Sequence, residues 1–275
     1  MRLAFLMALL VAAAPLARQP EAPGVDPLHR PFDQILDVNV RDGLVYYHAL
    51  RQQRGALDRY VAALGAVSKA TLDGWSRERQ MAYWMNAYDA FVLRTVIDHY
   101  PIRGRSPAYP PNSIRQIPGA FETRTFRTAA GPLTLDQIET GPLAAFGDPR
   151  VFLGLGRGAL GGGRLRSEAY TAARLEDQLA GVAAETVTRR ELVYVDEADD
   201  QLSVCPIFSW RADAFSQALA GEAPARFAGR SPLERAVIAI IEPHLVNTEA
   251  EFLQKNDFRM TFHEFDWRLN DLTGR

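Results

Sequence analysis

The spacing of hydrophobic and polar residues predicts a mostly helical chain. The clearest pattern runs from Ser76 to Tyr100, where apolar residues recur every three or four positions, with Ser76 as N-cap and Pro101 as the stop. Similar spacing predicts shorter helices at residues 32–38, 57–64, 171–189 and 231–241. The capping-box pattern Thr134-Leu-Asp-Gln137 predicts another helix from Leu135.

Short strands are predicted around these helices. The apolar run 151–155 predicts a strand before a glycine-rich segment, residues 191–196 and 201–204 a hairpin, and residues 259–265 a last strand. The strands are few and scattered, without the regular strand–helix alternation of a doubly wound sheet. The sequence therefore predicts an α+β domain, mostly helical with short β-strands.

The N-terminus has a different composition from the rest of the chain. Arg2 precedes an almost wholly apolar stretch, Leu3 to Leu16, which is typical of a secretory signal peptide and short for a membrane span. We predict a signal peptide at 1–17, a tether rich in Pro and Ala at 18–30 and a single domain at 31–275. The protein is then periplasmic or secreted, with no stable membrane insertion after signal removal.

The amino-acid composition excludes or disfavours several functional classes. The net charge is −2 and no basic stripe occurs, which argues against nucleic acid as a partner. Cys205 is the single cysteine, so an internal disulfide framework and a cysteine-rich zinc site are excluded. None of the five histidines has the spacing of a metal-binding pair, and we predict neither a metal nor another cofactor.

Glycine is concentrated in one segment, with six glycines between residues 154 and 163. Gly156-Arg-Gly158-Ala-Leu-Gly161 matches the dinucleotide-binding fingerprint. However, no helical pattern opens at the third glycine, no acidic residue ends a second strand, and no lysine follows as in a triphosphate-binding loop. We therefore interpret the match as a consequence of glycine density.

The long helix carries a family resemblance. Met81-Ala-Tyr-Trp84-Met-Asn86-Ala-Tyr88-Asp-Ala-Phe-Val92-Leu resembles the signature AFWINAYNALVL of the bacterial family catalogued as domain of unknown function 547. Motifs that resemble the family in the same order lie at 42–47, 133–139, 148–150, 167–170, 206–215 and 265–270. The resemblance implies a fold similar to papain- or transglutaminase-like cysteine hydrolases.

The chain departs from the family in its glycine-rich segment. Relatives read like RIHFALVCGAKSCPPLR where residues 150–166 stand here. The two family cysteines fall on Arg157 and Gly162, and the two family histidines fall on Phe152 and Thr140. Thiol catalysis needs an accessible sulfur activated by a base or a helix N-terminus. The resemblance therefore implies a catalytically degenerate member with no catalytic residues, and Cys205 is interpreted as a buried core residue.

The expected pocket combines polar groups of the long helix with the glycine-rich segment. Its candidate residues are Trp84, Asn86, Tyr88, Glu139, Arg150, Arg157, Gly161, Gly162 and Gly163. Arg157 is best suited to a carboxylate or phosphate ligand. We expect Arg157, Glu139 and Asn86 to converge on a cleft with an open floor at Gly162. Structural alternatives stay open: Asn86 could pair with a backbone group, and Asp136 and Glu139 could serve a helix dipole or act as an acid–base pair.

Three functions remain. The favoured one is a non-catalytic exported protein that binds a small molecule, a peptide or an envelope protein. The alternatives are a periplasmic amide- or peptide-bond hydrolase that uses unrecognised residues, and a structural protein of the envelope.

Overall fold

A computed structural model describes residues 26–273. The predicted signal peptide and residues 18–25 of the predicted tether lie outside the described residues. Residues 26–30, the rest of that tether, pack on the domain: the Asp26 carboxylate accepts hydrogen bonds from the Leu28 backbone N–H at 2.9 Å and from Arg79 Nε at 2.6 Å. Residues 26–30 thus belong to the packed domain, where the ion pair between Arg79 and the mostly buried Asp26 holds them.

The described residues form a mostly helical domain. Its α-helices are α1 (Arg30–Asn39), α2 (Tyr47–Gln52), α3 (Gly55–Ala66), α4 (Lys69–Asp73), α5 (Arg77–His99), α6 (Leu135–Ile138), α7 (Arg150–Gly154), α8 (Leu175–Thr188), α9 (Ile207–Trp210), α10 (Ala212–Leu219), α11 (Pro232–Ile241) and α12 (Asn247–Lys255). Within residues 26–273, no helix combines the length and apolar character needed to cross a bilayer.

Three small sheets accompany the helices. Their strands are β1 (Val40–Arg41), β2 (Leu44–Val45), β3 (Thr125–Thr128), β4 (Gly131–Thr134), β5 (Val193–Asp196), β6 (Gln201–Val204) and β7 (Arg259–Phe262). β1 pairs with β2, β3 with β4, and β5 with β6, each antiparallel, while β7 joins β6 in parallel. The α+β class is confirmed, as is the predicted hairpin of β5 and β6.

Helix α5 is the centre of the core. Ser76 caps it by accepting a hydrogen bond from the Arg79 backbone N–H at 3.3 Å, and the helix ends before Pro101 as predicted. Its middle is buried on every side, because α2, α3 and α6 all pack against it. The polar side chains inside it are therefore enclosed as well, and each needs a partner from another element.

The predicted strand at 151–155 is wrong, because residues 150–154 form α7. A five-residue apolar run does not distinguish a buried strand from a buried helix by its periodicity. Pro149, at the N-cap, and the Asp148 carboxylate, which accepts from the Arg150 N–H at 3.1 Å, start the helix. At Gly154 a Cβ would lie 2.8 Å from Tyr170 Oη and 3.3 Å from Val182 Cγ2, so α7 packs tightly on its neighbours.

The C-terminal segment ties distant parts of the chain together. Val45 donates its backbone N–H to the Asn270 carbonyl at 2.8 Å, and Leu272 donates to Val45 at 3.0 Å. Earlier in the same segment, the Arg268 and Asp266 carbonyls accept from Leu160 at 2.9 Å and Gly161 at 2.9 Å. The last residues thus lie between the first hairpin and the glycine-rich segment, and they carry Trp267 to the site described next.

Candidate functional site

A buried carboxylate, Glu139, organises the site. The capping box begins α6 as predicted: the Thr134 hydroxyl accepts from the Gln137 N–H at 3.1 Å, and Gln137 Oε1 accepts from the Thr134 N–H at 2.9 Å. The chain then widens into a π-helical turn, Glu139–Leu143, with Pro142 inside it. This turn places the Glu139 side chain in the interior, where it is 4 % exposed.

Two arginines and a tyrosine surround the Glu139 carboxylate. Arg157 Nη2 donates to Oε1 at 2.6 Å, and Arg211 donates to the same oxygen through Nε at 3.1 Å and Nη2 at 3.0 Å. The Tyr88 hydroxyl donates to Oε2 at 3.3 Å. Burial opposes ionisation of Glu139, but the charges of Arg157 and Arg211 outweigh it and hold the pKa of the carboxyl below its usual value.

Arg157 is buried in the glycine-rich segment, with 2 % of its surface exposed. Its Nη1 donates to the Phe152 carbonyl at 2.8 Å, so the guanidinium joins the end of α7 to Glu139. Burial alone would lower the pKa of Arg157, yet the charge of Glu139 raises it above the usual value. Where the aligned family motif has a cysteine, this chain therefore has a buried arginine that is paired with Glu139.

The ion pair forms one wall of a small cleft of about 150 Å³. The cleft is lined by Arg115, Phe121, Asp136, Glu139, Arg157, Trp210, Arg211 and Trp267. The Arg115 guanidinium lies over the rings of Phe121, at 4.5 Å, and Trp267, at 4.7 Å. Burial, followed by the negative charge of Glu122, raises the pKa of the Asp136 carboxyl, so the two carboxyl groups of the cleft are shifted in opposite directions.

The structure brings together only part of the predicted pocket. Glu139 and Arg157 line the cleft, and Tyr88 reaches Glu139 with its hydroxyl. Asn86 lies elsewhere: its Nδ2 donates to the Tyr170 carbonyl at 2.9 Å and its Oδ1 accepts from the Tyr170 N–H at 2.9 Å. The structural interpretation of Asn86 is therefore correct, and its predicted convergence with Glu139 and Arg157 is wrong.

The remaining predicted pocket residues have structural contacts. Trp84 is 3 % exposed and packs edge-on against Tyr83. Arg150 forms ion pairs with Asp148 at 2.7 Å and Glu176 at 2.8 Å, away from the cleft lining. These two side chains stabilise the fold around the site without lining it.

The glycines of the segment are close-packed, so the expected open floor at Gly162 is wrong. At Gly162 a Cβ would lie 3.2 Å from Arg157 N, and at Gly161 it would lie 2.7 Å from Asp266 N. At Gly163 it would lie 2.1 Å from the Leu153 carbonyl oxygen. These three glycines permit close backbone approach, which is a packing requirement.

The other predicted family positions lack catalytic groups. Phe152 is buried against Phe215, with ring centroids 6.3 Å apart, and the exposed Thr140 donates its hydroxyl to the Asp136 carbonyl at 2.7 Å. The lone thiol, Cys205, is fully buried, and burial raises its pKa to about 11. Within residues 26–273, no group of three or more His, Cys, Asp or Glu side chains could hold a metal ion.

Five lining residues had no predicted place in the site: Arg115, Phe121, Trp210, Arg211 and Trp267. Trp210 and Trp267 occur in family-like motifs, so the sequence marked them without giving them a role. Arg115 lies in no motif, and Arg211 lies between the two recognisable parts of the motif at 206–215 without a signal of its own. Only the meeting of α9, the C-terminal segment and the α5–β3 connection brings these side chains to Glu139.

Comparison with known proteins identifies the family. A family model described as protein of unknown function, DUF547, matches residues 72–185. Residues 72–185 therefore belong to the DUF547 family. No curated protein and no solved structure matches the chain significantly, and the likeness to papain- or transglutaminase-like hydrolases stays a prediction. The DUF547 match is narrower than the motif resemblance: it includes Glu139 and Arg157, whereas Trp210, Arg211 and Trp267 lie beyond it.

Proposed function

We propose that this DUF547 protein is a non-catalytic binding protein whose ligand enters the cleft beside Glu139. The observation that carries this proposal is the composition of the cleft. Arg157 stands at a family cysteine position with its guanidinium buried against Glu139, and the lining residues that the structure describes include no thiol, imidazole or hydroxyl group. The usual nucleophiles of acyl transfer and their histidine base are therefore missing from that lining.

Ligand binding suits the groups that remain. Ligand sites typically combine aromatic walls with a few convergent polar groups. Here Trp210 and Trp267 provide the walls, and Arg211 and Asp136 provide charges that are partly accessible. A small molecule, or one residue of a larger partner, matches the size of the cleft.

A thermal-shift screen tests the proposal, with amino acids, dicarboxylates, dipeptides and sugars as probes. A ligand of the cleft is expected to raise the melting temperature of the wild-type protein and of Asp37→Asn, an exposed carboxyl outside the cleft. The shift should be lost in Asp136→Asn, which keeps the shape of the cleft but changes its charge. If no probe stabilises the wild type, or if Asp136→Asn responds like the wild type, the cleft is not a ligand site.

One observation favours hydrolysis as a second candidate. The pKa of Asp136 is raised and that of Glu139 is lowered, which is the arrangement of a carboxyl pair acting as general acid and base. In this case, the wild-type protein should cleave a fluorogenic peptide library and Asp136→Asn should not. Such activity would replace the non-catalytic proposal. Iodoacetamide should leave native activity unchanged, since the Cys205 thiol is buried.

Export is part of the same proposal. We propose that residues 1–17 direct the chain out of the cytoplasm, so that the cleft faces the periplasm or the exterior. Fractionation of bacteria expressing the full chain should recover a processed protein outside the cytoplasm, and mass spectrometry should locate its new N-terminus near residue 18. A chain that lacks residues 2–17 is expected to stay in the cytoplasm. Retention of the full, unprocessed chain there would contradict export.

A further inference from the structure

An aromatic groove adjoins the cleft. It has a volume of about 710 Å³ and shares Trp210 and Trp267 with the cleft. It is lined by Ala108, Tyr109, Pro110, Pro206, Trp210, Glu264, Phe265, Asp266, Trp267 and Arg268. The Trp210 and Trp267 rings stack with their centroids 6.1 Å apart, Phe265 contacts both at 5.0 and 4.3 Å, and Trp210 is 42 % exposed. Cleft and groove therefore adjoin at the two tryptophans, and we refer to them together as the depression.

Two polar groups of the cleft, on Arg115 and Asp136, can form hydrogen bonds with a ligand. Arg115 Nε is buried and has no hydrogen-bond partner, although the rest of the guanidinium contacts Glu122, Phe121 and Trp267. A buried donor without a partner carries a free-energy cost that a ligand acceptor can remove. The Asp136 carboxylate lines the same cleft and is only half-buried, so it can accept a hydrogen bond from a ligand. A ligand that both accepts and donates hydrogen bonds therefore suits the cleft.

The cleft and the groove are lined by equal numbers of positive and negative side chains. The cleft and groove together contain four arginines and four carboxyl groups, namely Arg115, Arg157, Arg211, Arg268, Asp136, Glu139, Glu264 and Asp266. A strongly anionic or cationic ligand would meet repulsion from half of them. Balanced charges therefore favour a neutral ligand that is rich in hydrogen-bonding groups.

We propose that the cleft and the aromatic groove bind a neutral glycan chain of several sugar units. Each sugar hydroxyl both donates and accepts hydrogen bonds, so it can accept from Arg115 Nε and donate to the Asp136 carboxylate. The C–H groups on one face of a sugar ring are weakly positive and pack on electron-rich aromatic rings, such as that of the partly exposed Trp210. A chain is inferred because the groove extends the site well beyond the volume of the cleft. The inference rests on the proposed binding function and specifies its ligand class.

Calorimetric titration tests the glycan class. The probes are neutral hexasaccharides of glucose, mannose, xylose and N-acetylglucosamine, in α- and β-linked forms, with uncharged hexapeptides as the competing class. The key variant is Trp210→Ala, and the matched control is Tyr46→Ala, since Tyr46 is an equally exposed aromatic residue, at 41 %, outside the depression. Both variants should fold, because each removes a ring that is partly exposed and lies outside the buried core.

At least one hexasaccharide is expected to bind the wild type and Tyr46→Ala with the same affinity, and to bind Trp210→Ala about tenfold more weakly. The inference is overturned if no hexasaccharide binds, if only hexapeptides bind, or if Trp210→Ala binds as well as the wild type. A failure of the glycan inference is distinguishable from a failure of the proposed function. In the first case another probe still stabilises the protein in a manner that depends on Asp136, and in the second case no probe does.

Discussion

At the residue scale, Glu139 and Arg157 depend on each other. Both are almost fully buried, and they are joined at 2.6 Å. A buried ion pair adds little stability compared with apolar residues of the same shape, but removal of one partner leaves a charge without compensation. The pair therefore fixes the shape of the cleft more than it stabilises the fold.

Removal of one member of this pair should be costly. We expect Arg157→Met or Glu139→Gln to lower the free energy of unfolding by about 3–5 kcal/mol in urea titrations. Disruption of the more exposed pair Arg54–Asp58 by Asp58→Asn should cost about 1 kcal/mol or less. Equal, small effects at both places would contradict the description of the pair as buried and dependent.

The pH dependence of this contribution follows from the lowered pKa of Glu139. Because the folded pKa lies below the ordinary value of 4.5, the contribution is complete above that value and is lost as the pH falls through the folded pKa. Glu139→Gln should remove this acid-dependent loss. If the free energy of unfolding of Glu139→Gln, measured by urea titration, fell with acid as steeply as that of the wild type, the lowered pKa of Glu139 would be contradicted.

Asp89 should give the opposite pH dependence. It is buried in α5, its carboxyl accepts the Gly156 N–H at 2.9 Å, and burial raises its pKa to about 8. Between the ordinary value of 3.8 and about 8, the folded protein holds a proton that the unfolded chain has released, so stability falls as pH rises. The slope reaches at most about 1.4 kcal/mol per pH unit.

Asp89→Asn should abolish the fall in stability with rising pH, while its amide oxygen can still accept the hydrogen bond from the Gly156 N–H. The variant is expected to match the wild type near pH 4 and to be more stable near pH 8, with Asp37→Asn as the exposed control. If the free energies of unfolding of the wild type and Asp89→Asn changed with pH in parallel, the raised pKa of Asp89 would be contradicted. The family signature that the long helix resembles has asparagine at this position, which is consistent with a polar group that must be buried.

At the element scale, the glycine-rich segment packs directly on α7. The Leu153 carbonyl oxygen would lie 2.1 Å from a Cβ at Gly163, whereas a Cβ at Gly141 would meet no atom within 4 Å. The segment can approach the helix this closely only where residue 163 has no side chain.

We therefore expect Gly163→Ala to destabilise the protein by about 1–3 kcal/mol or more, as overpacking does. Gly141→Ala lies in open space and should change stability by about 0.5 kcal/mol or less. Chemical denaturation of the two variants provides the comparison. A tolerated Gly163→Ala would show that the segment can move away from α7.

Some helices and strands were predictable from the sequence and others were not. The helices α5, α8 and α11 were predictable because their long apolar periodicity and capping residues act locally. The helix α7 was not, since five apolar residues suit either a strand or a helix and packing on α8 decides between them. The hairpin of β3 and β4 was missed because β4 begins with Gly131 and Pro132, two residue types that are unfavourable in strands.

At the scale of the whole molecule, the site is assembled from parts far apart in the chain. The DUF547 match ends at residue 185, yet Trp210, Arg211 and Trp267 complete the cleft. Aromatic packing before the match, such as Phe32 stacked on Tyr60 at 4.7 Å, belongs to the same core. The matched segment is thus part of a larger packed core.

A fragment spanning residues 72–185 is accordingly expected not to unfold cooperatively. A chain of residues 18–275 should show a single sharp transition in circular dichroism, and the fragment a gradual or absent one. Its exposed α5, which the complete core buries on all sides, should also bind a hydrophobic dye. A sharp transition in the fragment would show that it is an autonomous domain.

The sequence by itself determined the α+β class, the long central helix and the family, because periodicity, caps and motifs are local properties of the chain. It also located Glu139 and Arg157, which the structure joins at 2.6 Å. Only the tertiary structure decided that Asn86 serves the core and that Arg211, Trp210 and Trp267 form the cleft. The physical reason is that burial and partnership depend on contacts between segments as far apart in the chain as Arg115 and Trp267, which no local pattern records.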